Sequence, residues 1–328
     1  MQFDRLKRRK LITLLGGVAA WPLAARAQQR MPVIGFMTGG TRWRSQLIAA
    51  FMSGLKKSDY VDGQNVAVEY RSADGHYDRF PLLAADLIDR QVDVLVVSSN
   101  DGVLAAKQAT ATIPIVFGMG GDPVALGLVA SLNRPGGNIT GVFFFTQELE
   151  AKRLGLLHEM VPKVTTIAVL VNPDYSPAEN QVRNAQEAAA HLGVQLLVLR
   201  ANVEGDFDAA FATLVQQRAG ALLVCASPFF FNRHQQLVVL AARHAVPAIY
   251  EWREFAVAGG LMSYGTNLSE AYRQMGDYAG QILKGAKPAD LPVVQSTKFE
   301  FVINLSTAKA LSIDVPPTLS ARADEVIE

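Results

Sequence analysis

Three glycines and a proline follow one short apolar run of the chain: Gly118, Gly120, Gly121 and Pro123. Glycine-rich turns can hold a phosphate group, because their backbone N–H groups can approach it closely. A dinucleotide-binding turn needs G-x-G-x-x-G, however, and the proline occupies the third glycine position. The phosphate loop G-x-x-x-x-G-K-[ST] occurs nowhere in the sequence. We therefore interpret the wider stretch, residues 117–141, as the exit from one folded lobe, where hinge residues commonly lie.

Side chains that bind metals or act as nucleophiles show no productive spacing. The five histidines include neither an H-E-x-x-H motif nor a pair four residues apart. The single cysteine, Cys225, lies inside the apolar run "ALLVCAS", where a thiol behaves as a small hydrophobic group. No G-x-S-x-G motif is present either. We predict a chain with no catalytic residues, no metal site and no cofactor.

Short β-rich runs alternate with amphipathic segments of helical length, which is typical of a parallel sheet covered by helices on both faces. The predicted strands are 32–37, 66–71, 92–99 and 113–118, and then 165–172, 194–201, 220–227 and 246–252. The predicted helices are 45–58, 77–90 and 101–111, and then 176–192, 206–218 and 229–244. The repeated order predicts an α/β protein with two doubly wound parallel-sheet lobes.

The C-terminal part does not continue into a third lobe. It contains a predicted strand at 259–265, a helix at 267–285, and a strand with a short helix within 299–313. We expect this material to return to the two lobes, so that several crossings form a multi-strand hinge. The predicted division is 1–27 as a signal peptide, 31–145 plus about 265–295 as lobe 1, and 146–264 plus about 296–328 as lobe 2.

The segment "GGDPVALGLVASLN" near the end of the first lobe predicts one more helix. Asp122 is its expected N-cap and Pro123 lies in the first turn, where a missing N–H is tolerated. Gly136 or Gly137 is expected to end it.

The N-terminus has the order of a secretory signal peptide: a basic start "RLKRRK", an apolar run "LITLLGGVAAW" and small residues at Ala25 and Ala27. The apolar run is too short to span a bilayer core of about 30 Å. Arg8-Arg9 is compatible with the twin-arginine export route as well as with the general one. We expect cleavage near Ala27 and a periplasmic location. Removal of this segment changes the formal net charge from +1 to −4, which gives no indication of nucleic-acid binding.

Five segments together resemble one known family: "RRKLITLLGGVAAWPLAARAQ", "EYRSADGHYDRFPLLAADLI", "GGDPVALGLVASLNRPGGNITG", "FFFNRHQQLVVLAARHAVPAIYEWREFAVAGGLMSYG" and "PPTLSARADEVIE". Over nearly its whole length the chain is similar to the tryptophan/tyrosine-type substrate-binding proteins of bacterial ABC transporters, which have the type I periplasmic binding protein fold. The resemblance implies a monomeric receptor that closes its lobes around a small solute, an amino acid or an aromatic or apolar carboxylate. It also implies delivery to an ABC permease and its ATPase at the inner membrane.

Ligands of open parallel sheets bind beyond the carboxyl ends of the strands, beside helix N-termini. Those ends carry hydroxyls, amides, free backbone N–H groups and aromatic rings, which suit a solute with a carboxylate and an apolar body. The predicted ligand-binding residues are Thr38, Gly39, Ser98, Ser99, Asn100, Asp122, Asn172, Tyr175, Ser227, Phe229, Glu251 and Tyr264.

Within this set, Thr38, Ser98 and Ser99 are candidates for binding the carboxylate, and Glu251 or Asp101 for pairing an ammonium group. The rings of Phe229, Tyr250, Trp252 and Tyr175 are candidates for the apolar wall. Structural roles are the alternative for several of them, since the serines would also cap the following helix and the Phe229 ring would also pack in a core.

Two other classes of protein use similar lobes. A two-lobed α/β enzyme acting on a nucleotide or sugar is the alternative function, but it needs a complete phosphate loop or an acid–base pair, and Asp122 and Glu251 fall in different predicted lobes. A ligand-responsive transcription regulator would need an N-terminal helix-turn-helix, where this chain has the predicted signal.

Overall fold

The computed structural model describes residues 30–40, 45–144 and 149–328 of the protein. The predicted signal peptide at 1–27 and the predicted lobe boundary at 145–146 lie outside the described residues.

Strands and helices alternate through the first part of the described chain. The elements are β1 (Val33–Thr38), α1 (Ser45–Lys56), β2 (Ala67–Ser72), α2 (Phe80–Asp89) after a 3-10 turn (Tyr77–Arg79), β3 (Val94–Ser98), α3 (Asn100–Ala109), β4 (Ile115–Met119) and β5 (Ile139–Phe143). Strands β3, β4 and β5 are buried along nearly their whole length, as expected of strands covered on both faces.

The second part repeats the alternation, and the last part returns to both sheets. The repeat consists of α4 (Glu150–Met160), β6 (Thr166–Val171), α5 (Ala178–Leu192), β7 (Gln195–Arg200), α6 (Asp206–Gln216), β8 (Ala221–Val224), α7 (Pro228–Asn232), α8 (His234–Arg243), β9 (Ala248–Tyr250), α9 (Arg253–Val257) and β10 (Met262–Thr266). The returning elements are α10 (Leu268–Leu283), β11 (Val294–Gln295) after a 3-10 turn (Pro288–Asp290), β12 (Phe299–Asn304), α11 (Leu305–Ala310), α12 (Pro317–Ser320) and β13 (Glu325–Ile327).

The strands form two separate sheets. The first has the order β11-β5-β4-β3-β1-β2 and is parallel throughout. The second has the order β13-β12-β10-β9-β8-β6-β7 and is parallel except where β12 runs antiparallel to β10. In each sheet the strand order reverses near β1 or β6, which is the doubly wound pattern predicted from the sequence. The predicted fold class, two parallel-sheet α/β lobes, is confirmed.

The chain passes between the sheets three times: between residues 144 and 149, between β10 and α10, and between β11 and β12. The first two crossings are joined, because the Thr266 hydroxyl donates a hydrogen bond of 2.7 Å to the Phe144 carbonyl. After the second crossing, α10 packs closely on α1 of the first lobe. Gly54 and Gly276 make this approach possible, since a Cβ on either would collide with a backbone carbonyl of the facing helix.

The helix predicted after Asp122 is absent from the structure, which is a correction. Residues 123–127 form hydrogen-bonded turns instead. Asp122 Oδ1 does accept the Val124 and Ala125 N–H groups at 2.8 and 3.2 Å, so the predicted cap exists. Gly127 then takes a left-handed φ of +66°, which ends the helical path after a single turn. Gly136 and Gly137 also have positive φ, but they shape a later loop rather than a helix end.

The single helix predicted at 229–244 is also wrong in detail, because α7 and α8 are separated at Arg233. Ser227 caps α7 by accepting the Phe229 N–H at 3.1 Å, and Pro228 occupies the first helical position. Among the described residues no helix is long and apolar enough to cross a membrane.

Candidate functional site

The carboxyl ends of the two sheets face each other across a cavity of about 90 Å³, here called the cleft cavity. Both lobes contribute to its wall, as expected for a ligand site beyond the strand ends. Its lining residues from the first lobe are Phe36, Thr38, Gly40, Leu47, Ile48, Ser98, Ser99, Asn100, Gly118, Met119, Gly120, Phe144, Leu268 and Tyr272. Those from the second lobe are Tyr175, Ala226, Pro228, Phe231, Asn232 and Trp252.

Aromatic rings form an apolar surface on each side of the cleft cavity. On the first lobe, the rings of Phe36 and Tyr272 are stacked with centroids 6.2 Å apart and an interplanar angle of 28°. On the second lobe, Phe231 and Trp252 meet edge to face with centroids 4.7 Å apart. Flat rings on opposite walls suit a solute that itself carries a ring or another apolar body.

The first lobe adds a polar edge to this apolar surface. Helix α3 begins at Asn100, so its first backbone N–H groups and the positive end of its dipole lie beside the cleft cavity. Asn100 Oδ1 accepts the backbone N–H groups of Gly120 and Gly121 at 3.0 and 3.2 Å, which fixes the loop after β4. Ser98 Oγ lies 2.6 Å from the Tyr272 hydroxyl and thereby orients that ring. This edge can bind an anionic group without a positively charged side chain.

Three buried polar atoms on residues that line the cleft cavity have no hydrogen-bond partner within the described part of the chain: Ser99 Oγ, Asn232 Nδ2 and Trp252 Nε1. A buried polar group left unpaired costs about 1–3 kcal/mol. Native interiors satisfy nearly all such groups with protein, water or ligand partners, so these three atoms are candidates for hydrogen bonds to a bound molecule.

None of the described residues that line the cleft cavity is charged. The charged group beside it is a buried cluster that contains Glu251, the residue before Trp252. Arg153 Nη2 lies 3.0 Å from Glu150 Oε1, and Arg153 Nη1 lies 3.9 Å from Glu251 Oε1. Burial, partly offset by Arg153, raises the pKa of Glu251 well above its ordinary value and also raises the pKa of Glu150. Two carboxyl groups thus share one guanidinium, and burial favours the protonated form of Glu251.

The structure brings five of the predicted residues to the wall of the cleft cavity: Thr38, Ser98, Ser99, Asn100 and Tyr175. Four others do not line it: Gly39, Ser227 and Glu251 each adjoin a lining residue in the chain, and Asn172 lies three residues before Tyr175. Asn172 Nδ2 donates to Ser227 Oγ at 3.2 Å, so these two side chains satisfy each other. Of the two candidates for an ammonium group, Glu251 is engaged with Arg153, and Asp101 does not line the cavity.

Three predicted residues lie away from the cleft cavity. Asp122 is exposed and caps its own turn. The Phe229 ring is buried against Phe207, with centroids 5.6 Å apart, because its side chain turns toward the core of the second lobe. Tyr264 lies on β10 and stacks on Phe299 with ring centroids 6.0 Å apart.

The sequence prediction missed other lining residues, among them Phe36, Asn232, Leu268 and Tyr272. Phe36 lies within a strand, and Leu268 and Tyr272 lie on a helix that follows the second crossing. The prediction assigned that helix to lobe 1, but the sequence does not show which of its residues face the cavity. Asn232 follows three phenylalanines, and a polar residue at the end of that run was the available signal. No group of three or more histidine, cysteine or carboxylate side chains placed to hold a metal occurs in residues 30–40, 45–144 and 149–328.

Comparison with known proteins gives a consistent assignment. The profile of the family described as ABC transporter substrate binding protein matches residues 40–327. The tyrosine-binding protein of Clostridioides difficile is 25% identical over 263 residues, which cover 80% of this chain and 75% of that protein.

Two solved structures have the same fold and cover 90% of this chain and 99% of their own, each at 23% identity. A domain from Streptococcus pneumonia in complex with L-Trp superposes with a TM-score of 0.80. The ligand-free, open structure of a substrate-binding protein with adhesive properties from Clostridium difficile superposes with a TM-score of 0.61.

The family profile spans nearly all of the described chain, and the two α/β lobes face each other across a cavity, as solute capture requires. The protein therefore belongs to the substrate-binding proteins of ABC transporters.

Proposed function

We propose that this substrate-binding protein captures an aromatic amino acid, or an aromatic or apolar carboxylate of similar size, by closing its lobes around it. The observation that carries the proposal is the cleft cavity, where rings from both lobes accompany buried polar atoms that lack a partner in the described chain. Two relatives support the aromatic class: the Clostridioides difficile protein is named as tyrosine-binding, and the streptococcal domain was solved in complex with L-Trp.

The volume of the cleft cavity supports a small-molecule solute. At about 90 Å³ it exceeds several-fold the roughly 10–15 Å³ that one enclosed water needs, so it can admit a molecule larger than water.

The polar edge of the first lobe is proposed to bind the carboxylate. Thr38, Ser98 and Ser99 supply hydroxyls beside the N-terminus of α3, and Asn100 holds the adjoining loop. Asn232 Nδ2 and Trp252 Nε1 donate from the second lobe, and Tyr175 closes the same side. The ring of the solute lies between the two aromatic pairs.

The lobe arrangement supports a closed, solute-holding state. At equal identity and coverage, the L-Trp complex superposes better than the open, ligand-free relative. We propose that the lobes divide at the three crossings, between residues 144 and 149, at 266–267 and at 296–298. Bending at these crossings would open the cleft.

The cellular setting follows from the family and from residues 1–27. We propose export to the periplasm with cleavage near Ala27, function as a monomer, and delivery of the solute to an ABC permease with its ATPase. Edman sequencing or intact-mass analysis of the mature protein from a periplasmic extract tests the cleavage site. A mature chain that still begins at Met1 would contradict it.

Isothermal titration calorimetry and thermal melting test the solute class. The panel is L-tyrosine, L-tryptophan, L-phenylalanine, the corresponding phenylpropionates, and L-lysine as a charged control. A solute present at 100 times its Kd should add about 2.7 kcal/mol to the free energy of unfolding and raise the Tm. If none of the aromatic compounds releases heat or shifts the Tm, the proposed class is wrong.

A further inference from the structure

A tyrosine of the first lobe reaches across the cleft without lining the cleft cavity. Tyr77 lies in the 3-10 turn before α2, and its ring stacks on Phe80 of the same lobe with centroids 6.3 Å apart. Its hydroxyl oxygen accepts the Phe229 backbone N–H at 3.3 Å and lies 3.5 Å from Ser227 Oγ, both in the second lobe. Its ring centroid is 6.0 Å from that of Tyr175, also in the second lobe.

Contacts within the second lobe hold in place the two residues that the Tyr77 hydroxyl meets, Ser227 and Phe229. Ser227 Oγ accepts the Phe229 N–H at 3.1 Å and the Asn172 Nδ2 group at 3.2 Å, so the N-terminus of α7 is fixed before Tyr77 meets it. Burial raises the pKa of Tyr77 to about 12, and the hydrogen bonds of Tyr77 with Ser227 and Phe229 partly offset this rise. The hydroxyl therefore keeps its proton over the physiological range, and its oxygen can accept from both the Phe229 N–H and the Ser227 O–H.

The lobes also approach closely beside this tyrosine. A Cβ on Gly39 would lie 3.2 Å from Pro228 Cβ and 3.3 Å from Tyr77 Cε1. Glycine at this position therefore lets the end of β1 approach the start of α7. The contact exists only while the lobes are closed, because its two sides belong to different lobes.

We infer that Tyr77 is a positioning residue that stabilises the closed arrangement and so prolongs solute retention without contacting the solute. The inference rests on the proposed function, in which closure encloses the solute. Apparent affinity scales with the population of the closed state, so any contact made only in that state raises affinity. Because both hydroxyl contacts are long, their joint loss should weaken binding by about fivefold, as expected for one ordinary hydrogen bond.

Binding kinetics of Tyr77→Phe test this role. The variant keeps the ring, and we expect weaker binding of L-tyrosine and L-tryptophan by the same factor, with the change mainly in the dissociation rate. Tyr60→Phe is the matched control, because Tyr60 is a half-buried tyrosine of the same lobe that does not line the cavity. The affinity of this variant for both solutes should equal that of the wild type. An unchanged dissociation rate in Tyr77→Phe would overturn the inference. A changed ratio of the two affinities would also overturn it, since it would place Tyr77 in contact with the solute.

A cross-linking assay without solute separates this inference from the solute class. The Gly39–Pro228 approach is close to the Cβ–Cβ distance of a disulfide, about 3.5–4.5 Å, so Gly39→Cys with Pro228→Cys should cross-link in the closed state. The native Cys225 is buried and does not compete. Adding Tyr77→Phe should slow cross-linking several-fold relative to this parent. Equal cross-linking rates would overturn the role inferred for Tyr77. Failure of the amino-acid panel alone would overturn only the proposed solute class.

Discussion

Gly40→Ala should weaken solute binding while leaving the fold intact. Gly40 follows β1 in the first lobe, and a Cβ placed on it would lie 2.7 Å from Asn232 Oδ1 of the second lobe. Real Cβ atoms do not approach another heavy atom this closely, so closure would require the Asn232 side chain to move. That movement displaces Nδ2, one of the buried atoms proposed to bind the solute.

The expected cost follows from these two effects. Overpacking costs about 1–3 kcal/mol in a rigid core. Because the added Cβ meets the flexible end of the Asn232 side chain, we expect a cost near the lower end of that range, about 1 kcal/mol. A displaced Nδ2 loses a hydrogen bond to the solute worth about 0.5–1.5 kcal/mol. We expect a total of about 1.5–2.5 kcal/mol, which corresponds to roughly 10- to 60-fold weaker binding.

Calorimetric titration with L-tyrosine or L-tryptophan measures the affinity, and thermal melting without solute measures the fold. Gly40 does not have a left-handed φ, so alanine is allowed there and the solute-free Tm should not fall. Gly155→Ala is the control, because a Cβ on Gly155 meets no atom within 4 Å. If Gly40→Ala binds as tightly as the control, the closed arrangement is not the binding state. If its solute-free Tm drops, the effect is on folding.

Three further predictions concern the cavity, the buried charges and the first lobe. Trp252→Phe keeps an aromatic ring but removes the Nε1–H donor, so calorimetry should show about fivefold weaker binding; unchanged affinity would exclude that donor from the site. The folded-state pKa of Glu251 is raised, so its stabilising contribution is full below the unfolded pKa of about 4.3 and is lost as pH rises through the folded value. Glu251→Gln removes this titration, so the Tm of the variant should fall less between pH 5 and pH 8 than that of the wild type. In free energy of unfolding, the effect is about 1.4 kcal/mol for each unit by which the folded and unfolded pKa of Glu251 differ. A fall in Tm as steep as that of the wild type would refute this. Gly276→Ala places a Cβ against the Phe51 carbonyl and should lower the Tm with and without solute by the equivalent of about 1–3 kcal/mol, and a wild-type Tm would contradict the close packing of α1 on α10.

The strands and the polar residues at their ends were predictable because both depend on local sequence. Apolar runs such as the one within 92–99 fix a strand, and the hydroxyls and amide at its end, residues 98–100, must then lie at the carboxyl edge of the sheet. Ser98, Ser99 and Asn100 reached the cleft cavity for this reason.

Contributions that depend on the packing of distant segments were not predictable in this way. Tyr272 lines the cavity only because α10 returns to the first lobe and packs on α1 through Gly54 and Gly276. Phe229 and Phe231 are two residues apart on a short helix, and only tertiary packing decides that the first ring enters the core and the second faces the cleft.

Local rules also failed where one residue overrode a favourable pattern. Asp122 and Pro123 form a good helix start, and the cap hydrogen bonds are present. The left-handed φ of Gly127 nevertheless ends the turn within one helical repeat. A single glycine within a helical pattern is usually tolerated at a cost of about 1 kcal/mol, so the sequence alone does not show that Gly127 would end this one.

A crystal structure of the protein grown with L-tyrosine or L-tryptophan tests solute capture most directly. We expect electron density for one molecule inside the cleft cavity, with its carboxylate at Ser99 and the start of α3 and its ring between Tyr272 and Trp252. Density outside this cavity, or lobes closed on an empty cleft at a solute concentration that saturates the calorimetric signal, would contradict it.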